Sequence, residues 1–131
     1  MSRLLLDSHI WLWYTAGSRD LPAVLRDAID QAVGACWLSP ITLWEVGMLA
    51  HKGKVRLRQD AGEWIAQALD RFPLREAPIN FEVAREVSEL ELPQSDPADH
   101  FLAATARVFG LTLVTMDGHL ALSEEVETLT V

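Results

Sequence analysis

The sequence has a single cysteine, Cys36, and few basic residues. One cysteine excludes an internal disulfide and a zinc site built from cysteines, and it suits a reducing compartment. The 131-residue chain has 11 Lys and Arg against 19 Asp and Glu, which gives a formal net charge of −8. This balance argues against a protein that holds nucleic acid through a generally basic surface.

Long hydrophobic runs, internal repeats and low-complexity segments are also absent from the sequence. The apolar segment from Leu4 to Tyr14 is interrupted by Asp7 and His9, and it is far shorter than the ~20 residues of a membrane-spanning helix. It has no small-residue cleavage site of a signal peptide, so we expect a cytoplasmic protein without a membrane partner. Because half of the residues are hydrophobic, a disordered chain is excluded. The length predicts one domain over 1–131.

Short aliphatic runs alternate with segments of helical spacing. Strands are predicted at 3–6, 35–38 and 111–115, with a short extended segment at 74–79 and an edge strand at 126–131. Helices are predicted at 8–14, 20–33, 42–52, 60–71, 80–90 and 96–110. Aliphatic strands separated by helices are typical of a mainly parallel sheet that is covered on both faces. We therefore predict a doubly wound α/β fold with about four to five strands.

Local motifs predict where several of these helices begin. The sequence Thr42-Leu43-Trp44-Glu45 has the form of a capping box, which predicts a helix that begins there and continues to Lys52. Asp96-Pro97-Ala98-Asp99 combines a cap, a first-turn proline and an acid, and predicts the start of the long helix that Gly110 ends. Asp117-Gly118 is predicted to be a turn.

Acidic residues follow or precede the strands in a pattern that brings them to one edge of the sheet. Asp7 ends the first strand and Asp117 follows a later one, while Glu45 and Asp99 lie in the first turns of helices. Parallel crossovers place all four positions at the carboxyl edge, where function resides in such sheets. Each acid alone has a structural alternative as a helix cap or turn residue. Their shared edge favours a functional cluster.

Converging carboxylates need a cation or protons to offset their repulsion. Two unit charges at 4 Å repel by ~4 kcal/mol at an effective dielectric constant of 20. Oxygen ligands suit Mg²⁺ or Mn²⁺ better than zinc. A carboxylate-held Mg²⁺ that keeps some of its waters is suited to the hydrolysis of phosphate esters, because it binds a phosphate oxygen and activates a water.

Three segments together resemble PIN-domain ribonucleases, and especially the VapC-type toxins of toxin–antitoxin pairs. These segments are LLLDSHIWLW at 4–13, SPITLWEVGMLAHKGK at 39–54 and DPADHFLAATARVFGLTLVTMDGHL at 96–120. The resemblance implies a PIN-like doubly wound fold, cleavage of RNA that depends on Mg²⁺ or Mn²⁺, and neutralisation by a small antitoxin.

The resemblance also implies roles for individual residues. The family's metal-binding and catalytic acids match Asp7, Glu45, Asp99 and Asp117. Thr115 matches a recurrent Ser or Thr that supports a ligating carboxylate.

Two positions in the third segment need separate interpretation. Asp96 is interpreted mainly as a helix cap, with a contact to metal or water as the alternative. His100 occupies a place where relatives carry an arginine, which leaves the placement of the substrate phosphate without that residue.

The helix after the first strand is apolar on all sides. It is either fully buried, or Trp11, Trp13 and Tyr14 contact a second subunit or an antitoxin, since Trp and Tyr are favoured anchors in interfaces.

The one dense basic run lies at 51–58. It is either a solvated loop, or Lys52, Lys54 and Arg56 contact RNA phosphates. Two bound divalent cations would halve the net charge of −8, so the overall acidity does not exclude an RNA substrate.

The residues and the resemblance together predict a metal-dependent endoribonuclease that acts as a toxin, in which a metal-activated water hydrolyses RNA phosphodiester bonds. The expected partners are RNA and a cognate antitoxin, in a homodimer or a toxin–antitoxin hetero-oligomer. Two alternatives remain open: a non-catalytic protein-interaction module on the same fold, and a different metal-dependent phosphoesterase.

Overall fold

The computed structural model describes residues 3–92 and 96–131, and the described residues form one sheet with helices on both faces. The strands are β1 (Leu4–Leu6), β2 (Cys36–Leu38), β3 (Arg75–Glu76), β4 (Thr112–Val114) and β5 (Thr128–Leu129). The helices are α1 (Ser8–Ala16), α2 (Ala23–Gln31), α3 (Pro40–His51), α4 (Ala61–Arg71), α5 (Phe81–Val87), α6 (Pro97–Phe109) and α7 (Gly118–Leu122). All strand pairs are parallel, in the order β3-β2-β1-β4-β5. The predicted doubly wound fold is confirmed.

The point at which the strand order reverses lies between β1 and β4. From β1 the chain proceeds to β2 and β3 on one side, and it later crosses to β4 and β5 on the other. Leu5 pairs with Leu113 and Leu6 with Val114 in the centre of the sheet. The connections after two such strands diverge, which opens a crevice at the carboxyl edge. Asp7 lies at this crevice, because it follows β1 directly.

The sheet separates two apolar clusters, because successive side chains of a strand point to opposite faces. Leu4 and Leu6 pack with α1, α2, α3 and α4 on one face. Leu5 and Leu113 pack with α6 and α7 on the other. The longest helix, α6, has 13 residues, and within the described ranges no helix has the length and apolar character needed to cross a bilayer.

Helix α1 is buried along most of its length. Trp11 is 0% exposed, and its ring meets that of Trp64 edge-on with centroids 5.4 Å apart. The prediction that Trp11 contacts a partner is therefore wrong, because this side chain belongs to the core. Trp13 and Tyr14 are partly exposed, so their contact with a partner stays a prediction.

Helix α3 begins earlier than the capping-box pattern predicts. Ser39 is the N-cap, with its Oγ accepting a hydrogen bond from the Ile41 backbone N–H at 3.1 Å, and Pro40 follows in the first turn. The predicted capping box at Thr42 is wrong, because Ser39 and Pro40 already supply the start of the helix. Thr42 is instead buried inside the helix, and its Oγ1 has no hydrogen-bond partner within the described ranges.

Asp117 begins a helix and not a turn. Its side chain accepts hydrogen bonds from the backbone N–H groups of His119 and Leu120, at 2.8 and 3.2 Å, and α7 follows. The prediction of a turn is wrong, because an aspartate that accepts from the next backbone amides looks the same in sequence at a turn and at a helix start.

Paired variants test which residue begins α3. Ser39→Ala should lower the free energy of unfolding by about 1 kcal/mol, because a buried N-cap bond is lost. Thr42→Val should leave it unchanged or raise it by up to about 1 kcal/mol, because a buried hydroxyl without a partner is removed. Urea denaturation measures both. Destabilisation by Thr42→Val, with Ser39→Ala neutral, would contradict this helix start.

Candidate active site

A cleft of about 270 Å³ opens at the carboxyl edge of the sheet, at the switch point between β1 and β4. Its lining residues are Asp7, Ser8, His9, Glu45, Asp96, Asp99, Leu102, Met116 and Asp117. The structure therefore brings the four predicted acids together, although they come from four separate segments of the chain. Asp96, whose role was ambiguous in the sequence, also lines the cleft.

Asp7 is held by both of its carboxylate oxygens. Oδ1 accepts from the Ile10 backbone N–H at 3.0 Å, so Asp7 is the N-cap of α1. Oδ2 accepts from the Thr115 hydroxyl at 2.5 Å, and the oxygen of that hydroxyl accepts from the Asp117 backbone N–H at 2.9 Å. The fully buried Thr115 thus connects the two segments that follow β1 and β4. These contacts are what the supporting role predicted for Thr115 requires.

The electrostatic state of Asp7 reflects opposing effects. Burial raises the pKa of its carboxyl above the ordinary 3.8, and the negative charge of Glu45 adds to this rise. The hydrogen bonds from Thr115 and Ile10 favour the ionised form and act in the opposite direction. The balance leaves the pKa raised, so ionised Asp7 is stabilised by any positive charge that enters the cleft.

Glu45 reaches the cleft from α3 and is not part of a capping motif. The hydroxyl of Ser8, the first residue of α1, donates a hydrogen bond to Glu45 Oε1. Ser8 is 2% exposed. The sequence analysis did not assign Ser8 to the site, and no local pattern could have done so, because its partner lies 37 residues further along the chain.

Asp99 is a second cleft carboxyl whose surroundings favour the neutral form. Burial, followed by the negative charges of Asp96, Asp117, Glu45 and Asp7, raises its pKa to about 7. Four other carboxylates therefore contribute to the shift of one group, as expected where negative charges are concentrated. An acid in this state favours protonation or a bound cation at neutral pH.

Asp96 is the N-cap of α6, since its Oδ1 accepts from the Ala98 backbone N–H at 3.0 Å. The interpretation of Asp96 as a cap agrees with this geometry. Asp96 also contributes to the charge around Asp99, so capping and membership of the acidic cleft occur in the same residue.

The chemistry of these donors fits a hard divalent cation, because every candidate ligand is a carboxylate oxygen. In residues 3–92 and 96–131, no three acidic, histidine or cysteine side chains converge closely enough to form a coordination shell. An ion would therefore have to draw the carboxylates inward. The residues placed to hold it are Asp7, Glu45, Asp99 and Asp117.

His9 lines the cleft and was not identified as a site residue from the sequence. Its exposed ring lies 5.8 Å from that of Trp13, in a tilted arrangement. Of the described residues that line the cleft, His9 is the one that can carry a positive charge. The pattern Asp-x-His around Asp7 was the available signal, but a single histidine is weak evidence by itself.

The predicted RNA-contacting residues Lys52, Lys54 and Arg56 are exposed, and they are not among the residues that line the acidic cleft. Arg56 instead lines a larger groove of about 550 Å³, to which α1, α4 and the segment between α3 and α4 contribute. We call it the arginine groove, because Arg56, Arg58 and Arg71 line it together with apolar side chains such as Trp64.

The fold and the acidic cleft at its switch point are those of an α/β protein with a carboxylate-based site. The family model of the PIN domain matches residues 4–123, and the chain belongs to the PIN-domain family. It is 32% identical over 123 residues to ribonuclease VapC22 of Mycobacterium tuberculosis (strain ATCC 25618 / H37Rv), with 92% of this chain and 91% of that protein covered. The resemblance found in the three sequence segments is confirmed.

Solved structures share the fold at lower identity. One is a chain in the crystal structure of DNA-bound VapBC from Salmonella typhimurium, with a TM-score of 0.75, 18% identity, and coverage of 99% of this chain and 98% of that one. Another is a chain of VapBC2 from Rickettsia felis bound to a promoter DNA fragment, with a TM-score of 0.70, 14% identity and 97% coverage of both chains.

The raised pKa of Asp99 predicts how stability depends on pH. Below pH ~3 the Asp99 carboxyl is neutral in the folded and unfolded states. Between its ordinary pKa of 3.8 and the folded value of about 7 it ionises in the unfolded state but not in the folded state, so the folded wild type loses stability over this range and the loss is complete above pH 7. In EDTA at pH 8, Asp99→Asn should therefore have a free energy of unfolding about 1–2 kcal/mol higher than wild type, after allowance for partial exposure. Its melting temperature should be a few degrees higher. The difference should vanish near pH ~3, below the ordinary pKa of the carboxyl.

Asp27→Asn is the matched control for this measurement, because it removes the same charge from an exposed position of α2. Scanning calorimetry at several pH values compares the three proteins. An equal gain in both variants would indicate a general effect of net charge, and a lower melting temperature for Asp99→Asn at pH 8 would contradict the account of Asp99.

Proposed function

We propose that this protein is a Mg²⁺- or Mn²⁺-dependent endoribonuclease that acts as the toxin of a toxin–antitoxin pair. The observation that carries the proposal is the convergence of Asp7, Glu45, Asp99 and Asp117 on one cleft, in a PIN-domain chain that is 32% identical to a protein named ribonuclease VapC22.

All four acids would coordinate the cation. Asp7, fixed by Ile10 and Thr115, supplies the most constrained carboxylate. Glu45, held by Ser8, approaches from α3, on another element. A divalent ion held there would supply positive charge to a phosphodiester and would lower the pKa of a bound water, so that a hydroxide nucleophile is available near neutral pH.

Asp99 and Asp117 complete the predicted ligand set from α6 and from the start of α7. Asp117 Oδ1 is already engaged by two backbone N–H groups, so its position is set by the helix that it caps. The raised pKa of Asp99 means that cation binding at neutral pH displaces a proton from part of the population. Metal affinity should therefore increase with pH.

RNA has to approach a cleft of negative potential, and basic residues nearby would reduce the repulsion. Lys52 and Lys54 are exposed just after α3, the helix that carries Glu45. As phosphate contacts they would strengthen binding of all sequences alike and make it sensitive to salt. Their role as RNA contacts, like that of Arg56, remains a prediction.

Cleavage assays with matched variants test the proposed reaction. Wild-type protein should cleave mixed RNA in Mg²⁺ and not in EDTA. Asp7→Asn should reduce the rate about 100-fold, because a central ligand loses its charge. Asp27→Asn removes the same charge outside the cleft and should cleave at the wild-type rate. Cleavage that persists in EDTA, or at the wild-type rate in Asp7→Asn, would contradict the mechanism.

The same assays separate the two alternatives. A protein-interaction module would leave RNA intact and keep its effect on cells after Asp7→Asn. A different metal-dependent phosphoesterase would be inhibited by EDTA but would prefer a phosphodiester other than RNA, such as DNA.

The proposed antitoxin has a candidate binding surface in the arginine groove. Arg56, Arg58 and Arg71 combine with the apolar side chains of Trp64 and Phe72 in its lining, which suits a protein segment carrying both apolar and acidic residues. Co-purification with a cognate antitoxin should weaken in Arg58→Glu with Arg71→Glu. Unchanged co-purification would direct attention to the surface around Trp13 and Tyr14.

A further inference from the structure

The contact between Ser8 and Glu45 connects two helices, α1 and α3, which follow the strands β1 and β2. Ser8 is the first residue of α1, immediately after Asp7, whereas Glu45 lies in the second turn of α3. The Ser8 hydroxyl donates to Glu45 Oε1, and Ser8 is 2% exposed. The pair is therefore a partly buried hydrogen bond between two residues of the cleft lining.

Two other helical hydroxyl groups bond within their own helices. Thr15 in α1 donates to the carbonyl of Trp11, and Thr105 in α6 donates to the carbonyl of Phe101, each one turn back in its own helix. This local bond is the ordinary one for Ser and Thr inside a helix. Ser8 has no preceding turn, because it opens the helix, and its hydroxyl reaches across to α3.

A glutamate at this position is mobile without such a partner. Its side chain has several rotatable bonds, and fixing it costs up to about 2 kcal/mol of conformational entropy. Glu45 is also repelled by its neighbours, since its charge acts on both Asp7 and Asp99. A fixed donor on one oxygen opposes this repulsion and leaves the second carboxylate oxygen for a ligand.

We propose that Ser8 is a positioning residue that holds Glu45 in the orientation needed to bind a divalent cation, an inference that rests on the proposed metal-dependent function. Ser8 acts through Glu45 and does not contact substrate. Mutation of a residue that orients a metal ligand in this way typically weakens metal binding by about 10- to 100-fold.

Titration calorimetry with Mn²⁺ tests the proposal on the full chain without reference to RNA cleavage. Ser8→Ala should bind Mn²⁺ about tenfold more weakly than wild type. Thr42→Val is the matched control, because it also removes a buried hydroxyl from this region, on the helix that carries Glu45, but that hydroxyl has no partner among the described residues. Thr42→Val should bind Mn²⁺ as wild type does.

A double-mutant cycle distinguishes positioning from a general structural role. In a Glu45→Gln background, Ser8→Ala should cause little further loss of Mn²⁺ affinity, because the group that it orients has been replaced. Melting temperatures without metal report whether each variant is folded. Should Ser8→Ala fail to fold, Ser8→Cys keeps a similar size and a weak donor, and its affinity should lie between those of wild type and Glu45→Gln.

Two results would overturn the role of Ser8: wild-type Mn²⁺ affinity in Ser8→Ala, or an equal loss in the presence and absence of Glu45. A wild-type protein that binds no Mn²⁺ would instead contradict the proposed metal dependence itself, and the role of Ser8 would fall with it. The experiment therefore distinguishes failure of the role proposed for Ser8 from failure of the proposed metal dependence.

Discussion

Repulsion between carboxylates at one edge of the sheet is the constraint on which this structure depends. Five acids line a cleft of about 270 Å³, and burial together with the charges of the other four raises the pKa of Asp99 to about 7. Part of the compensation comes from helix starts. Asp7, Asp96 and Asp117 each cap a helix, so backbone N–H groups and the positive end of a helix dipole stabilise their charge.

Some acids at this edge have a structural role as helix caps, and others do not. In a parallel sheet, the helix that follows a strand begins at the carboxyl edge, so capping acids gather there as a result of topology alone. Capping therefore accounts for the presence of Asp7, Asp96 and Asp117 at this edge. Glu45 and Asp99 are more informative, because neither side chain caps its own helix in the contacts described above. Their presence in the cleft has no structural explanation of that kind.

The sequence was sufficient to predict the sheet and the convergence of four acids, because both follow from aliphatic strands, strand order and the handedness of crossovers. It was insufficient where two local signals compete. Thr42 and Glu45 match a capping box, yet Ser39 and Pro40 begin the helix. Trp11 is of a residue type that often anchors interfaces, but its side chain lies in the core.

Long-range polar contacts were the other part that the sequence could not supply. The Ser8–Glu45 and Thr115–Asp7 bonds span 37 and 108 residues, and no spacing rule connects such positions. The resemblance to PIN-domain ribonucleases gave Thr115 its predicted role, whereas Ser8 became visible only with the packing of α1 against α3.

The central claim is that the acidic cleft binds a divalent cation. Anomalous scattering from crystals soaked in Mn²⁺ tests it most directly. The account predicts a manganese peak at the switch point, at coordination distance from oxygens of Asp7 and of at least one of Glu45, Asp99 and Asp117. A structure at neutral pH without a peak in the cleft, or with manganese held only by acids elsewhere on the surface, would contradict it.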